Sequence, residues 1–152
     1  MKRLEFSISI RASKQKVYDV MLGITHKKTY EAWTAIFNPT STYNGQWTQG
    51  SKMFFLGSDE FGEQGGMVSE IAEMIPGEMV SIRHYGLYKS GEEITEGPEV
   101  DKWAGGIEQY VFKEEHGLTT VTVHLDSTDE FVDYMNDKYP KALEMLKRIC
   151  EE

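Results

Sequence analysis

The 152-residue sequence predicts an α+β fold: one antiparallel sheet with helices packed on one face, in a single domain spanning residues 1–152. Three observations carry this. The chain opens on an alternating apolar and polar stretch, the pattern of a strand buried on one face. Six further strand-like stretches, separated by turn signals, fill the middle of the chain. The last segment carries an apolar stripe at helical spacing, and a sheet is the only large partner available to cover it.

In the first stretch, RLEFSISIR, Leu4, Phe6, Ile8 and Ile10 alternate with Arg3, Glu5, Ser7 and Ser9. Ser13 follows and suits a helix N-cap, its hydroxyl accepting from a free first-turn N–H. In the helix beyond it, Val17, Val20, Met21 and Ile24 share a face. A second short helix, HKKTYEAWTAIF, spaces Tyr30, Trp33 and Phe37 by three and four residues, and Asn38-Pro39 ends it. The strands read STYNGQW, SKMFFLG, MVSEIAEMI, MVSIRHYGLY, GIEQYVFKEE and LTTVTVHLD. Pro76-Gly77-Glu78 turns the third into the fourth, and His116-Gly117 makes a tight hairpin of the last two.

In the terminal helix Phe131, Met135, Tyr139, Ala142, Leu146 and Ile149 form the stripe. Ser127 with Glu130 fits a capping box, and Pro140 predicts a kink or break near Asp137–Tyr139. Lys89–Gly105 is acidic and weakly periodic, and reads as a long loop. It is either a solvated loop anchored by Trp103 or a lid over a cavity mouth.

Charge excludes some function classes. Against 25 acidic residues stand 16 basic ones, a net charge of -9, with no basic run longer than two. A nucleic-acid surface needs clustered Lys and Arg, so neither nucleic acid nor an anionic membrane is an expected partner. No apolar run reaches signal-peptide or membrane-spanning length, and the expectation is a cytoplasmic protein. One cysteine, Cys150, allows no intrachain disulfide, and near the terminus it is a weak nucleophile candidate. His26, His84, His116 and His124 show no metal-ligand spacing, and GSDEFGEQGG lacks the Lys and the strand-to-helix context of a phosphate loop. No cofactor or metal is expected. No Ser, His and acid grouping follows from sequence order alone.

Five pieces, in order, resemble the START-like (SRPBCC) superfamily, in particular the group named after the activator of Hsp90 ATPase (AHSA1-like). They are ISIRASKQKVYDVM, TYEAW, GGMVSEIAEMIPGEMVSIRHY, GLTTVTVHL and YPKALEMLK, the last with Tyr139 where that group usually has Trp. The resemblance covers almost the whole chain. It implies a helix-grip fold, a curved antiparallel sheet around a long C-terminal helix with a cavity between them. It also implies a choice among ligand binders, polyketide cyclases and Hsp90 co-chaperone domains, because the fold hosts all three.

Strand parity proposes the lining of such a cavity. Val121, Val123 and Leu125 make one inward row; Tyr110 and Phe112 share parity with Glu108; Val80, Ile82 and His84 share another row. The candidate ligand-binding residues are Trp33, Phe37, Phe55, Ile82, His84, Tyr110, Phe112, Met135, Tyr139 and Leu143. Each apolar member is equally a plain core residue. His84 is an acid, base or orienting donor, or merely satisfies a neighbour, with Tyr110 and Tyr139 as helpers. Glu70 is a candidate acid only if it points inward. The expected function is binding of a small hydrophobic or amphipathic molecule (lipid, aromatic or polyketide-like) without catalysis. The rivals are a cyclase or hydrolase working through His84, and a chaperone-partnered interaction protein. A homodimer through a strand edge or the Lys89–Gly105 segment is left open.

Overall fold

The computed structural model describes residues 1–152. The elements are β1 (Lys2–Ile10), α1 (Lys14–Leu22), α2 (Lys27–Thr34), β2 (Thr42–Gly45), β3 (Lys52–Ser58), β4 (Gln64–Ile75), β5 (Met79–Lys89), β6 (Glu92–Ile94), α3 (Pro98–Asp101), β7 (Gly106–Glu115), β8 (Leu118–Ser127) and α4 (Val132–Glu151). All strands join one antiparallel sheet, ordered β1-β8-β7-β5-β4-β3-β2, with β6 paired to the far end of β5. This is the predicted α+β helix-grip arrangement, with the two short helices following the first strand. No helix is long and apolar enough to cross a membrane.

The parity readings place the core correctly. Val80 and Ile82 on β5, Tyr110 and Phe112 on β7, and Val121, Val123 and Leu125 on β8 are all buried on the inner face. Tyr139, Ala142, Leu143 and Leu146 of α4 cover that face, 2% exposed or less. Ser13 caps α1 as expected, its Oγ accepting from the Lys16 N–H at 3.2 Å.

Several expectations are corrected. Ile24 lies beyond the end of α1 and Phe131 before the start of α4, both exposed, so neither joins the apolar face read for it. Helix α2 ends at Thr34, short of Phe37. Pro39 bars Asn38 from helical dihedrals, and the Asn38 side chain instead accepts from the Thr40 N–H at 2.8 Å in a local turn. Pro140 does not break α4, which runs from Val132 to Glu151. The carbonyl that loses its partner belongs to exposed Asn136, so solvent can supply the missing hydrogen bond. The capping box does not form. Ser127 stays in β8 opposite Lys2 and donates to the Thr128 carbonyl at 2.9 Å, and a single 3-10 turn (Asp129–Phe131) leads into α4. The Lys89–Gly105 segment is not one long loop. Its strand β6 extends the sheet along Leu87–Lys89, beyond the point where β7 leaves β5. Trp103 Nε1 donates to the Glu99 carbonyl at 2.8 Å, tying α3 to its own return. A three-residue strand is too short to show a period.

Cys150, although close to the terminus, is packed into the core. It is 1% exposed, and burial pushes its thiol up to about 12. The native protein is therefore expected to react with an aromatic disulfide reagent only as fast as α4 opens, with full reactivity restored in denaturant.

Gly66 fixes the β3–β4 pairing. A Cβ there would lie 1.9 Å from the Phe55 carbonyl oxygen, at a φ of +156°. Backbone cannot yield as a side-chain tip does, so Gly66→Ala is expected to cost about 2–3 kcal/mol in urea unfolding.

Candidate functional site

One carboxylate organises the inner face. Glu108, near the start of β7, pairs across the sheet with Ile82 of β5 and Leu125 of β8. Its Oε1 accepts from His84 Nε2 at 2.9 Å. Its Oε2 accepts from the Tyr139 hydroxyl, reaching down from α4, and from the Tyr110 hydroxyl at 3.4 Å. His84 Nδ1 in turn meets Ser69 Oγ at 2.6 Å. An ionised carboxylate only accepts, so the proton of the imidazole shared with Glu108 sits on Nε2. Five side chains from three adjacent strands and the terminal helix thus form one chain of hydrogen bonds.

The local folding explains how they meet. A β-bulge between Val68 and Ser69 leaves Tyr85 without a partner and sets Ser69 opposite His84. Parity then carries Ile71 and Ile82 onto the same inner face.

Burial and charge set the ionisation. Desolvation alone would raise the Glu108 carboxyl, but the hydrogen bond and charge of His84 with the two tyrosine hydroxyls outweigh it, holding the group below the usual carboxylate range. Tyr110 and Tyr139 are driven well above the usual phenol range, first by burial and then by the Glu108 charge. Both hydroxyls therefore keep their protons and act as donors. A carboxyl whose folded value lies below its ordinary 4.5 stabilises the fold fully above that pH and loses this as pH falls through the folded value. The unfolding free energy is expected to decline on acidification below 4.5, and Glu108→Gln to flatten that decline; pH-resolved urea melts check it.

Aromatic rings enclose the cluster. Trp33 stands edge-on to Tyr110 at 6.2 Å, Phe55 edge-on to His84 at 5.9 Å, and Phe37 edge-on to Tyr139 at 5.1 Å. Trp33, Tyr110 and Tyr139 are buried, whereas Phe37, Phe55 and Met135 are half-buried. The side chains of Glu108 and His84 keep 17% and 11% of their surface exposed, so the cluster is not sealed.

Of the ten predicted residues, Trp33, Phe37, Phe55, His84, Tyr110 and Tyr139 come together here. Ile82 lies beside Glu108 in the register, and Met135 sits one turn before Tyr139 on α4. Phe112 packs beneath α1 against Tyr18 at 5.4 Å. Leu143, one turn beyond Tyr139, borders a cleft of about 380 Å³ between β1 and α4 with Phe6 and Ile8. A larger depression of about 780 Å³ by the β3–β4 hairpin is lined mainly by polar groups such as Asn38, Asp59 and Lys89. Glu70 points outward and pairs with Arg83 at 2.7 Å.

Sequence reasoning missed two members. Glu108 shares parity with Tyr110 and Phe112, and that alone placed it inward. Ser69 lies two residues before Ile71 on β4, so alternation alone put it on the inner face, but a small polar residue there carries no signal of its own. No three His, Cys, Asp or Glu side chains stand together as a metal site.

No family model matches the chain, and no curated protein matches it in sequence. Solved structures do match it in shape. The Aha1 dimer from Colwellia psychrerythraea aligns at TM-score 0.70 and 21% identity, over 99% of this chain and 97% of that one. Protein NE0264 from Nitrosomonas europaea aligns at TM-score 0.70 and 11% identity, over 96% and 92%. DynU16, a protein of the dynemicin biosynthetic locus, aligns at TM-score 0.64 and 12% identity, over 97% of this chain and 46% of that one. Identities this low establish the START-like fold and nothing finer.

Proposed function

We propose that this protein, as a member of the AHSA1-like group, binds a small apolar or amphipathic molecule between the sheet and α4. The polar end of that molecule meets the Glu108, His84, Tyr110 and Tyr139 cluster. One observation carries the reading: a partly exposed, ionised carboxylate with three converging donors, set among aromatic rings. Stability does not require such a cluster, since apolar replacements of buried ion pairs are often neutral or stabilising. A polar group held at the end of an apolar enclosure is what orients a ligand. Burial of ligand surface would drive binding, at roughly 25 cal/mol per Å² before the costs of association. Phe37, Phe55 and Met135 are only half-buried, so they are the side chains an entering ligand would displace.

A second reading is favoured by the linked carboxylate and imidazole, which are an acid–base pair in form. Ser69 completes a Ser–His–acid sequence, but with no exposed surface its Oγ meets no substrate. An enzyme here would therefore use Glu108 and His84 alone, and His84→Ala would abolish its turnover.

Native mass spectrometry of the purified protein, followed by organic extraction, tests the main reading. A discrete co-purifying mass that is lost in Tyr110→Ala supports it. A clean protein mass, with no thermal shift across lipids, aromatic acids and polyketides, moves the assignment to a protein partner.

A further inference from the structure

We infer that the polar end of the bound molecule is a hydrogen-bond donor, most favourably a cationic amine, and that amphipathic carboxylates are rejected. This rests on the ligand-binding reading above and names the ligand class. The Tyr139 and Tyr110 hydroxyls both give their protons to Glu108 Oε2. His84 gives its Nε2 proton to Oε1, and its other ring nitrogen is engaged with fully buried Ser69. No donor of the cluster is left for an incoming anion.

Acceptors remain. Each carboxylate oxygen has two lone-pair sites, so Oε1 keeps one free, and each phenol oxygen keeps a pair. The one basic side chain touching Glu108 is His84, already paired with it. Arg83, the nearest strong cation along β5, lies on the opposite face with Glu70. A carboxylate entering here meets a like charge and acceptors only, an unfavourable pairing in a poorly solvated site. An ammonium meets an ionised acceptor with a lone pair to spare, a charge-assisted pairing that the alcohol makes more weakly and the carboxylate cannot make.

The test compares three probes that share one tail: 4-butylbenzylamine, 4-butylbenzyl alcohol and 4-butylbenzoate. Each is titrated calorimetrically into the wild-type protein at neutral pH and physiological ionic strength, where the net charge of -9 is largely screened. The expected order is amine, then alcohol, then benzoate, with the amine at least about tenfold tighter than the benzoate. In Glu108→Gln, its folding first checked by circular dichroism, the gap should close to within about twofold. Benzoate binding as tightly as the amine would overturn the head-group assignment and leave ligand binding standing. An unchanged amine preference in folded Glu108→Gln would overturn it too, tracing the preference to overall charge. No binding of any probe, together with a clean protein mass, would defeat the binding reading itself and this inference with it. If Glu108→Gln does not fold, the wild-type ranking decides alone.

Discussion

Glu108→Ala is expected to lower the unfolding free energy by about 3–5 kcal/mol, one of the two largest effects of any single substitution considered for this protein. The loss exceeds that of one hydrogen bond because three donors converge on the carboxylate. Removing it strands the His84 Nε2–H and the hydroxyls of Tyr110 and Tyr139 in an aromatic interior. Replacing the cluster as a unit behaves differently. Ser69→Ala, His84→Leu, Glu108→Leu, Tyr110→Phe and Tyr139→Phe together leave no orphaned donor. That combined variant is expected to be within about 1 kcal/mol of the wild type, or more stable. Urea unfolding of both proteins checks the contrast. Equal losses in the two would mean that the cluster serves stability, and the functional reading of Glu108 would lose its support.

Trp33→Ala should cost about 3–5 kcal/mol. Trp33 is 1% exposed, and its Nε1 donates to the Met21 carbonyl at 2.9 Å, pinning α2 to the end of α1. Its ring stands edge-on to Tyr30 at 5.9 Å and to Tyr110 at 6.2 Å. Truncation therefore opens a cavity the size of an indole and leaves a buried carbonyl without its donor. Chemical denaturation measures the cost. A loss under about 1.5 kcal/mol would show that the surroundings collapse freely onto the site, and that Trp33 is not a fixed wall.

Much of the fold was legible because periodicity reports burial directly. Leu4 to Ile10, Val80 to His84 and Val121 to Leu125 each alternate without interruption, and each lies on the inner face as read. The failures share a cause: a local signal was outweighed by what the neighbouring chain does. Pro140 is a helix breaker by type, yet its cost falls on an exposed carbonyl. Ser127 and Glu130 spell a cap, yet pairing with Lys2 keeps Ser127 extended. Strand β6 had no period to read, and only its pairing with Leu87–Lys89 defines it.

The candidate site was half legible. Its aromatic walls and His84 follow from parity and helical spacing. Glu108 sat in the right row but was passed over, because a lone glutamate in a strand is usually solvated. What makes it central is that three donors, from β5, β7 and α4, arrive at its two oxygens. That convergence depends on the bulge at Tyr85 of β5 and on where α4 crosses the sheet, neither of which side-chain alternation reports.

The most direct test of the ligand-binding account is to locate a bound probe by nuclear Overhauser effects between 4-butylbenzylamine and the assigned side chains. The account predicts contacts from the amine end to Tyr110 and Tyr139, and from the ring and tail to Trp33, Phe37 and Phe55. Contacts confined to the outer faces of β1 or α4, with the resonances of Tyr110 and Tyr139 unmoved, would contradict it.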